Sequence, residues 1–179
     1  SRIDVEVAAS ARNNFELTGV WLYNASTRGR IAPLTSLWNV SELKVTAPSM
    51  PSGGYASSAI TTPFAYTSVQ ADTAVIASIY TFEAAAAVSN NSITTPFLVI
   101  GGKWNGGKES YYRVDFHTGS DFLPLLRNFR YDIQITSVLG HGYPNREEAF
   151  TNSFTNMTAV TCTWNQGSMG NVIWDGSHM

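Results

Sequence analysis

A single cysteine, Cys162, stands in this chain of 179 residues. One thiol cannot close an intramolecular disulfide or furnish a cysteine-rich zinc site. Charge is scarce too: 13% of residues are charged, against roughly 25% in an average soluble domain. The basic residues are scattered and the formal net charge is −2, which gives no electrostatic footprint for nucleic acid. No apolar run approaches the roughly 20 residues of a bilayer-spanning helix, and no signal peptide is visible. His117, His141 and His178 lie far apart without HExxH spacing, so no metal is expected and each histidine is read as a surface-turn residue. No Gly-x-Ser-x-Gly elbow occurs. Glu83, Asp115, Asp121 and Asp132 show no pairing that points to glycoside hydrolysis. No catalytic residue, enzyme activity or cofactor is therefore expected.

What is present is apolar and uncharged. Hydrophobic residues make up 44% of the chain, with Ser, Thr, Asn and Gly most of the rest. That balance suits an extracellular β-protein with polar but neutral faces. Ile3, Val5 and Val7 alternate with Asp4 and Glu6, the period of a half-buried strand. Phe15 opens a strand running through Val20-Trp21-Leu22-Tyr23, where both faces turn apolar and cover on each side is expected. Segment 74–82 is rich in β-branched and aromatic residues, and the alanines of 83–89 predict one helical turn after it. Segments 96–104 and 111–116 form a hairpin about Asn105-Gly106-Gly107, residue types that accept positive φ. In 129–139, Tyr131, Ile133 and Ile135 alternate with Asp132, Gln134 and Thr136, so one side should meet water. Asn145 is expected to cap a short helix carrying Glu147 and Glu148 in its first turn. Arg127-Asn128 reads as a lock on the entry to the 129–139 strand, the Asn taking positive φ and the Arg holding several acceptors. Alternation in 158–164 places Cys162 as a small buried strand residue. The sum is an all-β, two-sheet β-sandwich of about seven strands with little helix, spanning residues 1–165.

Two stretches fall outside this pattern. Apart from a short strand expected at Leu43-Lys44-Val45, residues 31–73 form a long connection rich in Ser, Thr, Pro and Gly, and long connections are often functional. Its aromatics either pin it to the body, or Trp38, Tyr55 and Tyr66 present a surface for a glycan or protein. The tail, 166–179, holds the apolar run Val172-Ile173-Trp174, either a further strand of this domain or one that pairs with another molecule. Residues 176–179 read as a vector remnant, which removes His178 from any site.

Several pieces match a known family. They are Arg2-Ile3-Asp4-Val5, the 15–24 strand, Ile79-Tyr80-Thr81-Phe82-Glu83, 96–104, 111–116 and 125–149. The most specific run is Leu125-Leu126-Arg127-Asn128 leading to Tyr131-x-Ile133-x-Ile135-Thr136, then Gly140-x-Gly142 and Glu147-Glu148-Ala149. Together they resemble the C-terminal half of a Bacteroidales fimbrillin, a subunit of the type V pilus. They cover most of residues 2–165 but not the 31–73 connection. The resemblance implies a transthyretin-like sandwich, one of two in a complete subunit, matured from an outer-membrane lipoprotein precursor and displayed on the outer cell surface. It further implies a structural subunit joined to other fimbrial subunits by strand exchange, with Val172, Ile173 and Trp174 in the donor position. The alternative is a surface adhesin module that binds host protein or glycan.

Overall fold

The computed structural model describes residues 1–51, 63–90, 92–152 and 156–165, with Trp164 and Asn165 described by their backbone. In chain order the elements are β1 (Arg2–Val7), β2 (Phe15–Tyr23), β3 (Trp38–Asn39), β4 (Lys44–Val45), β5 (Phe64–Tyr66), β6 (Ala74–Tyr80), β7 (Phe97–Trp104), β8 (Glu109–Asp115), β9 (His117–Thr118), β10 (Asp121–Phe122), β11 (Phe129–Val138), α1 (Arg146–Thr151) and β12 (Met157–Asn165). A 3-10 turn at Thr35–Leu37 precedes β3. The strands build two four-stranded sheets, one in the order β12-β11-β1-β6 and the other β5-β2-β7-β8.

The period-2 pattern of the sequence explains why these sheets face each other. Ile3, Val5 and Val7 of β1 and Tyr131, Ile133 and Ile135 of β11 are buried on one inner face. Leu17, Val20 and Leu22 of β2, Leu98 and Ile100 of β7, and Tyr112 and Val114 of β8 meet them in the same core. The product is the expected all-β sandwich. One feature of its topology has no local signature: β1 runs parallel to β11 and antiparallel to β6.

The outer faces differ. On the second sheet, Trp21, Tyr23, Phe97 and Val99 point away from the main core and are covered by Ala149 and Phe150 of α1. This is the two-sided cover expected from the apolar end of β2. The Arg113 guanidinium lies 3.6 Å above the Phe97 ring and donates to Phe150 O at 2.6 Å and Ser92 O at 2.7 Å. On the first sheet the outer face is ionic. Arg2 and Arg130 each stand 2.8 Å from Asp4, and Arg130 stands 2.6 Å from Asp132. Asp132 is thus a half-buried ion-pair partner.

Local signals hold at the turns. Asn105 (φ 49°) and Gly106 (φ 67°) form the β7–β8 hairpin turn. Asn145 accepts from Glu148 N at 2.8 Å and caps α1. Asn128 takes φ 61° beside the locked Arg127.

Three expectations need correction. Segment 83–89 is not helical: Ala84 and Leu125 exchange backbone hydrogen bonds of 3.0 and 2.9 Å, which outweigh the small helix preference of alanine. The 31–73 connection carries its expected short strand, as β4 of the β3–β4 hairpin, but also contributes β5, which was not expected, to the second sheet. Cys162 is exposed. Register explains it. Thr161 and Thr163 lie opposite the inward Ile133 and Tyr131, which leaves Cys162 opposite the outward Asp132.

Candidate functional site

A sandwich ends in four sheet edges, and an open edge invites another strand. Edges β5 and β6 share one flank; β8 and β12 lie at the other. The β8 edge is covered: Tyr111 and Tyr143 exchange backbone bonds, each 2.8 Å. Gly142 permits that approach, since a Cβ there would stand 2.4 Å from Tyr111 O. The β6 edge is bent. Ile76, Ala77 and Ser78 lie between the register pairs that flank Asp4, Ala77 takes φ 57°, and Asp4 Oδ1 accepts from Ala77 N at 2.8 Å. The β5 edge is three residues long.

The β12 edge has none of these guards. It is nine residues long, Met-Thr-Ala-Val-Thr-Cys-Thr-Trp-Asn, with no charged residue and no proline. Among the described residues no strand pairs with its outer side. Thr158, Val160 and Cys162 are exposed along it.

A cleft of 320 Å³ opens on the opposite flank, between β5 and β6. Phe64, Tyr80 and Phe82 stand around it with 55%, 62% and 50% of their surface exposed. Tyr66 and Thr81 complete its wall together with Ser26. Burial raises the Tyr66 phenol above its ordinary value. Among the described residues, the Thr81 hydroxyl is shielded from water without a hydrogen-bond partner, and no charged side chain lines the cleft.

Behind the cleft sits a tightly held carboxylate. Ser26 Oγ donates to Glu83 O at 3.0 Å. The Glu83 carboxylate accepts from Arg127 Nε at 2.8 Å and from Ser49 N at 2.9 Å. Arg127 also donates to Ile31 O at 2.9 Å and Arg30 O at 3.0 Å. Burial pushes the Glu83 carboxyl up, but the hydrogen bonds and charge of Arg127, with the Ser49 amide, hold it below its ordinary value. The clamp ties the 30–49 stretch to the body, and it fulfils the lock read from Arg127-Asn128.

The sequence candidates scatter. Tyr66 lies in the cleft wall. Trp38 lies in β3, 36% exposed, and does not line the cleft. Tyr55 and the tail residues Val172, Ile173 and Trp174 lie outside the described residues. His117 Nδ1 stands 3.2 Å from Gly119 O, and His141 meets the Trp104 ring edge-on at 5.2 Å. Among the described residues, no group of three or more His, Cys, Asp or Glu side chains is placed to hold a metal. The sequence reading missed Tyr80 and Phe82. Their shared parity at the end of the 74–82 run was the available signal, since residues two apart in extended chain point the same way.

No family model, curated protein or solved structure matches the chain. The resemblance to fimbrillins rests on the sequence motifs alone.

Proposed function

We propose that this protein is a structural subunit of a bacterial surface fimbria, joined to its neighbours by strand exchange. The observation that supports the reading is the β12 edge: long, neutral and, among the described residues, with no strand on its outer side, in a molecule whose β6 edge is bent and whose β8 edge is covered. Edge strands are ordinarily blunted by charge, proline or bulges, so an unblunted one fits a surface that meets another chain. A donated strand supplies backbone partners along such an edge. In this reading the donor is the tail of a neighbouring subunit, with Val172, Ile173 and Trp174 as its apolar residues. A subunit that gives one strand and takes another makes a heterologous contact, which propagates as an open filament. Its place would be the outer cell surface, reached through an outer-membrane lipoprotein precursor.

Deleting 166–179 tests this directly. Polymers seen by electron microscopy and sedimentation should vanish while the β-type circular dichroism spectrum stays. Polymers that persist at wild-type length after the deletion would remove the tail from the assembly. The second reading, a surface adhesin module, is favoured by the aromatic cleft on the opposite flank.

A further inference from the structure

We infer that the cleft between β5 and β6 is a binding site for a neutral saccharide, recognised by ring stacking and by hydroxyl groups. The inference goes beyond the fimbrial reading and does not depend on it. Large aromatic side chains that expose half their surface are costly unless something covers them. Here Phe64, Tyr80 and Phe82 do so around a single cleft. Its 320 Å³ sits at the lower end of the roughly 300–1,000 Å³ usual for small-molecule sites, which suits a short oligosaccharide.

Charge narrows the ligand class. Among the described residues the cleft wall carries no charged side chain. Close by, the Ser1 ammonium donates to Thr81 O at 2.9 Å, Glu83 pairs with Arg127, and Arg2 and Arg130 pair with Asp4. A charged ligand would lose hydration without gaining a partner. The wall does carry hydroxyls, and among the described residues the phenols of Tyr66 and Tyr80 make no hydrogen bond. A pyranose ring offers the matching pair of surfaces. Its axial C–H bonds rest on the negative face of an aromatic ring, and its rim hydroxyls both donate and accept. An aliphatic chain would cover the rings but leave every wall hydroxyl idle.

The test is saturation-transfer NMR on the full chain, with a panel of neutral methyl glycosides and disaccharides, sialylated counterparts, and octanoate as the apolar arm. Neutral glycosides should receive transfer, strongest at protons on one ring face. Tyr80→Ala removes an exposed ring and should raise the dissociation constant about tenfold. Tyr66→Phe removes only a wall hydroxyl and should weaken binding while leaving Tm unchanged, an opposition that a merely structural tyrosine does not produce. Absence of transfer to every neutral glycoside would overturn the inference. So would binding that survives both Tyr80→Ala and Phe82→Ala, or a preference for sialylated sugars or for octanoate.

Discussion

Glu83 shows how one side chain organises segments that lie far apart in the chain. Its carboxylate joins Arg127, the Ser49 amide and, through Arg127, the carbonyls of Arg30 and Ile31. Glu83→Gln keeps the shape but removes the charge. It should cost roughly 1.5–3 kcal/mol, the worth of hydrogen bonds to a charged group, read by urea denaturation. The acid side follows from the direction of the shift. A carboxyl held below its ordinary 4.5 in the folded state contributes stability that is present above that value. The contribution is lost as pH falls through the lower folded value, so the wild-type and Glu83→Gln curves should converge there. The Arg127-Asn128 half of this clamp was legible, because positive φ and multiple donors are properties of single residues. Its acceptor was not: the alanines after Glu83 suggest a helix, and nothing local reveals the bridge from Ala84 to Leu125.

Among the elements, α1 carries more than its length suggests. Ala149 and Phe150 cover Trp21, Tyr23, Phe97 and Val99, so the short helix closes the outer face of the second sheet. Phe150 meets Tyr23 and Phe97 at 5.2 Å, edge-on to each. Its start depends on the Asn145 side chain. Asn145→Ala should cost about 1 kcal/mol and speed amide exchange at Tyr111 and in α1, while β1 amides keep global protection. The cap was readable from Asn145 and its two following glutamates. Strands β1, β7, β8 and β11 were readable from alternation or from apolar, β-branched runs. Strand β5 was not, since Phe64, Ala65 and Tyr66 hold their place by pairing with Leu22, Trp21 and Val20. The phase of β12 was misread for a related reason: Thr, Ala and Cys suit either face, and only register against β11 fixes which looks out.

Taken whole, the molecule has two unlike flanks. One presents a neutral aromatic cleft beside a bent edge; the other presents the unguarded β12. If assembly runs along β12, a single charge there should oppose it, as lysine does on natural edge strands. Val160 is 47% exposed on that strand, so Val160→Lys should leave the unfolding free energy within about 0.5 kcal/mol of wild type. It should also shift the onset of polymerisation, followed by light scattering, to higher protein concentration. Saccharide binding at the far flank should be unaffected by the same substitution.

Residue order alone settled that this chain makes strands with short turns between them, because alternation, turn residues and caps act over a few neighbouring positions. It also fixed how little charge there would be to distribute, but not that β1 and β11 would gather part of it on one outer face. Long-range pairing settled the rest: the parallel match of β1 with β11, the bulge that Asp4 pins in β6, the outward turn of Cys162, and the gathering of Phe64, Tyr80 and Phe82 around one cleft. Each depends on register between segments distant in the chain, and register is set by how whole sheets bury their inner faces, which no short window of sequence contains.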